Sequence, residues 1–303
     1  MTGGDQTAPS PQDGLAAIGL MSSAMLIIPL MDIIAKYLSA SLPPLEVTFG
    51  RFFFQLVVCV GFALIAGKAR GLRSKRPAIN FLRGTLLALA SLFFFTAVKF
   101  MPVATAISIF FIEPMILTIL AAIFLKERFG IKRLAAIAVG LAGALLILRP
   151  SFTEVGPAAL LPLCTATFFA FYLLLNRRYA GADGLLAIQF SAGLAGSLLL
   201  GTALLIGSLL GFSDFSYITP ASGEIGLMAI IGLISFAGHG LVVMAFQRGE
   251  ASLLAPLQYL EIVSATLFGY LVFSDFPDLM TWIGITLIVA SGLYIAHRER
   301  VRA

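Results

Sequence analysis

Phe110-Phe111-Ile112-Glu113-Pro114-Met115-Ile116-Leu117 and Gln258-Tyr259-Leu260-Glu261-Ile262-Val263-Ser264-Ala265 are two apolar stretches, each with one acid at the same place, 148 residues apart. The same interval lays Leu125-Lys126-Glu127-Arg128-Phe129 on Phe273-Ser274-Asp275-Phe276-Pro277. It also lays Ala142-Gly143-Ala144 on Ala290-Ser291-Gly292. The chain reads as one unit used twice, with a charge at the same depth in each copy. A carboxylate at bilayer depth costs ~3 kcal/mol on insertion scales, so such residues face a bundle interior or a cavity.

Working outward from these stretches, composition settles the medium. Of 303 residues, 59% are hydrophobic and 12% charged, against roughly 25% charged in a soluble domain. Apolar runs such as 14–31, 52–66 and 134–148 approach the ~20 residues that a helix needs to cross the hydrocarbon. Spanning helices are the economical reading, and the short alternating segments of a membrane barrel do not appear. Pro, Gly and charge clusters divide the chain into ten expected helices: 14–38, 45–67, 79–100, 103–125, 131–149, 155–178, 184–210, 223–247, 251–273 and 279–297. The fold class is therefore all-α, with ten transmembrane helices as two five-helix repeats, 14–149 and 150–297. An odd number of spans per repeat inserts the two copies in opposite orientations, the plan of many secondary transporters. Residues 1–13 read as a disordered cytoplasmic tail without a basic signal-peptide start, and 298–303 as a short basic tail.

Sixteen of the twenty Lys and Arg residues fall on one side of these spans. They include Lys68 to Arg83, Lys126 to Arg133, Arg177, Arg178, Arg248 and the tail arginines. The positive-inside rule then puts both termini in the cytoplasm. Bases beside spans control topology, so the net charge of +5 points to the lipid bilayer as partner, not to nucleic acid. Cys59 and Cys164 fall inside spans and read as small apolar fillers. The sequence gives no sign of a cofactor, and we expect a monomer.

No enzyme constellation is visible: there are two histidines, His239 and His297, and no Cys/His cluster, phosphate loop or nucleophile elbow. Polar groups inside spans are the candidates for chemistry. Pro114 removes a helical donor and opens the ladder near residue 110, so a kink is expected there. Glu113 beside it, and Glu261, either lock helices together or meet a substrate or proton; both readings stand. Asp32 and Lys36 are spaced to pair on one helix face. With Arg51 they form a candidate ion-pair network closing the outer vestibule, or an anion site for a substrate carboxylate. His239, between Gly238 and Gly240, is the group whose ordinary pKa suits proton work near neutrality, and its glycines permit close approach or local unwinding. Helical spacing puts Phe110 beside Glu113 and Gln258 beside Glu261. With Tyr172 and Tyr259 these suit a small, mostly apolar substrate with a polar head.

Glu113-Pro114 followed by Leu125-Lys126-Glu127-Arg128, the second copy Glu261 with Phe273-Ser274-Asp275-Phe276-Pro277, and Phe49-Gly50-Arg51-Phe52 resemble the ten-helix EamA branch of the drug/metabolite transporter superfamily. The resemblance runs over the chain after residue 14, and the chain looks most like the aromatic amino-acid exporters of that branch. It implies an inverted-repeat carrier with cytoplasmic termini and a central cavity. The implied activity is export of small hydrophobic metabolites, aromatic or neutral amino acids foremost, by alternating access. A proton-coupled exporter of cationic drugs is the alternative. Two departures bear on symmetry: Ile262 stands where the family often has a second Glu-Pro proline, and Asp275 stands for the usual loop glutamate.

Overall fold

The computed structural model describes residues 11–125, 131–179, 182–212, 217–246, 248, 254 and 257–300, and among them the chain is all-helical. The α-helices are α1 (Pro11–Leu38), α2 (Pro44–Ile65), α3 (Pro77–Phe100), α4 (Val103–Phe110), α5 (Glu113–Leu125), α6 (Ile131–Val155), α7 (Leu161–Arg178), α8 (Leu185–Leu210), α9 (Ser222–Phe246), α10 (Leu260–Phe273) and α11 (Leu279–Arg300). Two short 3-10 turns lie at Ala69–Leu72 and Gly156–Leu160. Local chemistry explains the ends. Pro44 and Pro77 open α2 and α3, where a missing N–H costs nothing. Gly211, with φ 72°, closes α8 in the left-handed region that glycine enters freely.

Among the described residues, seven segments are long and apolar enough to cross a membrane by length and composition: Gly14–Leu38, Pro44–Ile65, Pro77–Phe100, Val103–Phe124, Phe152–Asn176, Leu185–Leu210 and Ser222–Phe246. Shorter apolar helices run over Ala135–Leu148, Leu260–Phe273 and Leu279–Tyr294. Two differences from the expected spans have physical causes. The fourth expected span, 103–125, is two helices with a break at Phe111 and Ile112. Pro114 withdraws a donor, and Ile112 and Met115 make tightened bonds three residues back, to the Ile109 and Ile112 carbonyls at 3.2 and 3.0 Å. α1 begins at Pro11, inside the expected tail. Of the repeat motifs, Glu127 lies outside the described residues.

Helix pairings come in matched sets. α1 packs on α9 and α3 on α7; α2 packs on α9 and α3 on α8; α1 packs on α10 and α5 on α7. α2 also meets α8, and α6 meets α11. Exchanging each first-half helix for its second-half counterpart returns the same set. The match extends to single residues at the 148-residue interval. A Cβ added at Gly84 would lie 2.8 Å from the Ala192 Cα on α8, and one at Gly232 would lie 2.7 Å from the Gln55 backbone nitrogen on α2. The Ser291 hydroxyl donates to the Ala136 carbonyl at 2.5 Å, while their counterparts meet where a Cβ on Gly143 would lie 2.9 Å from the Gly284 oxygen.

Polar clasps tie the halves at both ends of the bundle. At one end Lys36 pairs with Asp275, Ser41 donates to Glu224 at 2.5 Å, and the Ile218 N–H donates to Glu46 at 3.0 Å. At the other, Asp183 accepts from the Lys75 N–H at 2.6 Å, the Asn80 amide at 2.9 Å and the Ser74 hydroxyl at 3.1 Å. Burial alone raises the Asp183 carboxyl, but these donors outweigh it and hold the carboxyl below its usual range. A folded pKa below the unfolded value of about 3.9 means the clasp contributes fully above that pH and is lost as pH falls through the folded value. Proteolysis of the 68–76 loop is therefore expected to stay slow down to about pH 4, and to become fast at neutral pH in Asp183→Ala. A loop equally protected in the variant would contradict the clasp.

Candidate functional site

Between the halves lies a cavity of about 250 Å³, near the low end of small-molecule sites, roughly 300–1,000 Å³. Met21, Met25 and Met31 of α1, Phe94 and Phe95 of α3, Phe110 of α4 and Phe169 of α7 stand in its wall beside aliphatic side chains such as Ile28, Leu87 and Val242. The break between α4 and α5 brings Glu113 into that wall as the first residue of a helix. Glu261 enters from the first turn of α10. Both acids thus occupy helix N-termini, where the backbone dipole favours negative charge. Glu113 is only 7% exposed, and its buried Oε1 bonds no group among the described residues.

Asp32, 4% exposed, lines the same space, within electrostatic reach of Glu261 and Arg51. Arg51, 3% exposed, is held from two sides. Its Nε donates to the Ser235 hydroxyl at 3.1 Å and Nη1 donates to Ser91. The Phe52 and Phe95 rings flank the guanidinium at 4.8 and 5.9 Å, a geometry that suits a delocalised cation. Ser235 passes the network on, donating to Gln55 at 2.9 Å. Gln55 then donates to Gln189 at 2.8 Å, and Gln189 to the Phe236 carbonyl at 3.1 Å. Four helices, α2, α3, α8 and α9, are joined this way, so the guanidinium stands in one place. Its remaining nitrogen bonds no protein group among the described residues.

Of the expected site residues, Glu113, Glu261, His239, Phe110 and Gln258 line the cavity. Tyr172 stands behind the wall, its ring 5.5 Å from Phe169 and its hydroxyl on Asn176. The Tyr259 ring lies tilted against Phe111, centroids 5.0 Å apart. The expected Asp32–Lys36–Arg51 ion-pair network does not form. Lys36 turns to Asp275 instead, because the α10–α11 connection comes within reach of the end of α1. Asp32 and Arg51 are left to the cavity. His239 donates Nδ1–H to the Ser235 carbonyl at 2.9 Å, the only direction a carbonyl permits. α9 runs unbroken past its glycines; Gly238 gives close approach, a Cβ there lying 2.8 Å from Ile28, and no unwinding. Sequence reasoning missed Ser91, Ser235 and Gln189, single polar residues on apolar helices. For Ser91 a signal existed: it lies 148 residues before His239.

Comparison with known proteins agrees with this architecture. Residues 15–149 and 156–296 each match the model of the EamA-like transporter family. An S-adenosylmethionine uptake transporter of Rickettsia conorii is 30% identical over 89% of this chain and 88% of its own length. A riboflavin transporter of Rhizobium johnstonii is 26% identical over 98% and 97%, and a pseudopaline exporter of Pseudomonas aeruginosa 27% over 89% and 92%. One solved crystal structure superposes with a TM-score of 0.63 at 21% identity, covering 94% of this chain and 98% of that one. That likeness speaks to the fold.

Proposed function

This chain belongs to the EamA-like transporter family, and we propose that it is a secondary exporter of small, largely apolar metabolites with an amino-acid head, aromatic and neutral amino acids foremost. It works by alternating access across a bacterial inner membrane, as ten spans in two inverted five-helix repeats with both termini cytoplasmic. One observation carries the reading: an aromatic-walled cavity between two halves, holding one guanidinium and three carboxyls, with polar clasps at either end. A carrier needs a site between two closable ends, and the matched helix pairings support two related halves that exchange roles. Glu113, Glu261, His239 and Gln258 meet the polar head and Phe110 the apolar body, while Tyr172 and Tyr259 back the wall. With no nucleotide motif in the sequence, the driving force is a substrate or ion gradient. The relatives' names widen the cargo beyond free amino acids and include both uptake and export.

Proton-coupled export of cationic compounds is the second reading, favoured by the unpartnered carboxyl oxygen of Glu113. Proteoliposome counterflow of labelled phenylalanine and tryptophan, with and without a pH gradient, separates the two. Saturable flux indifferent to pH supports the first, and absence of amino-acid flux removes it. Glu113→Gln is expected to keep folded yield and lower flux about tenfold or more, the loss of roughly one charge contact. Unchanged flux at unchanged yield would take Glu113 out of the site.

A further inference from the structure

Exposed cations gather at one end of the bundle. Lys68, Arg70, Arg73, Lys75 and Arg76 lie on the connection from α2 to α3, and Arg178 lies at the end of α7. Among the described residues the only ion pair is Lys36–Asp275, at the opposite end, so none of these cations meets a carboxylate there. From residue 47 to 112 the chain holds no acid. Asp183 comes close, but its carboxyl is taken up by the Lys75 N–H, the Ser74 hydroxyl and the Asn80 amide.

Topology control accounts for bases on this side of the spans, but it acts during insertion and places no demand on their final arrangement. Here they are arranged. Gly67, at φ 65°, turns the chain out of α2, and the Lys68 N–H returns to the Ala63 carbonyl at 2.7 Å. The 3-10 turn that follows rests on α8, where a Cβ on Gly71 would lie 3.4 Å from the Leu186 Cδ1. Asp183 pins Ser74 and Lys75. Arg76 and Arg178 share the Tyr179 ring, 5.1 and 5.8 Å from its centroid. Two exposed guanidiniums from separate segments are thus held at one place, where they repel each other unless an anion joins them. One turn before Lys68, Leu64 and Ile65 are 63% and 91% exposed. Lipid-facing surface therefore gives way to positive surface within a single turn.

We infer that this face is a binding site for the phosphate headgroup of an anionic lipid in the adjacent leaflet. Arg76 and Arg178 hold the phosphate, whose geometry their planar forks match. The bases of 68–73 add attraction, as clusters beside a span do, and Leu64 and Ile65 meet the acyl chains. The inference rests on the spans crossing a bilayer and is independent of what the cavity carries, so it stands or falls apart from transport.

Native mass spectrometry of the full chain, released from nanodiscs of equal phosphatidylglycerol and phosphatidylcholine, reads the site. The wild type is expected to retain phosphatidylglycerol over phosphatidylcholine on the order of tenfold or more. Arg76→Lys with Arg178→Lys keeps every charge and removes the forks, so the ratio should fall several-fold. Asp183→Ala gives a test of sign. It removes a negative charge, so diffuse attraction would raise the ratio, whereas loss of the arranged loop lowers it. Lys99→Gln, an exposed base at the far end of α3, should leave the ratio alone. Size-exclusion profiles and melting temperatures keep these losses distinct from unfolding. A wild-type ratio near one, an unchanged ratio in the double lysine variant, or a rise in Asp183→Ala overturns the site. Displacement of the lipid by millimolar inorganic phosphate overturns it too, because the ligand would then be a soluble anion.

Discussion

Gly232→Val is expected to leave almost no folded protein in the membrane, whereas Gly226→Ala changes nothing or stabilises slightly. The difference is what a side chain meets. At Gly232 a Cβ would fall 2.7 Å from the Gln55 backbone nitrogen and the Phe54 carbonyl carbon, so α2 and α9 would have to separate along their length. Backbone does not yield as a flexible side chain does. Overpacking of well-packed cores costs about 1–3 kcal/mol and more where the backbone must move. At Gly226 nothing lies within 4 Å, and alanine gains about 1 kcal/mol of helix propensity. Gly84→Val, at the counterpart position against α8, should behave like Gly232→Val. Monodisperse yield after solubilisation reads all three, and normal yield of Gly232→Val would contradict the α2–α9 packing.

Arg51→Met is expected to reduce substrate affinity on the order of 100-fold, because truncating a buried, hydrogen-bonded charge at a binding contact costs about 2–5 kcal/mol. The variant also removes the partner of Ser91 and Ser235 and a cation that acts electrostatically on Asp32. Arg51→Lys keeps a charge but cannot hold Ser91 and Ser235 in a fixed fork, so a weaker, partial loss should follow. The network beyond Arg51 offers a control. Gln189→Met breaks the bonds to Gln55 and Phe236, and its loss should appear first as a lower melting temperature. If Arg51→Met binds substrate as the wild type does, the guanidinium belongs to the scaffold and not to the site.

Much of this arrangement was legible in the chain. The interval that sets Glu113 on Glu261 also sets Gly84 on Gly232 and Gly143 on Ser291, and these positions lie where helices cross most closely. Buried acids are conspicuous in sequence because apolar surroundings make them costly. Pro114 signalled the break because a missing donor is a local property. What escaped was long-range. Nothing local distinguishes Ser91 and Ser235 from the many hydroxyls that bond their own helix, as Ser108 bonds the Ala104 carbonyl. The spacing of Asp32 and Lys36 allowed a pair on one helix face. A carboxylate from a connection 239 residues away took the lysine instead, and helical spacing carries no information about such a competitor.

Crosslinking the Lys36–Asp275 end of the bundle while probing the cavity tests alternating access most directly. Lys36→Cys and Asp275→Cys, in a chain with Cys59→Ala and Cys164→Ala, place two thiols where the ion pair now holds α1 to the α10–α11 connection. Thr165→Cys adds a reporter thiol on the cavity wall. With the pair oxidised, impermeant thiol reagents should reach that reporter from the opposite face only, and transport should stop. Reduction should restore both labelling from the Lys36 face and flux. Equal labelling from both faces in the locked state, or flux that survives the lock, would contradict a carrier that opens its two ends in turn.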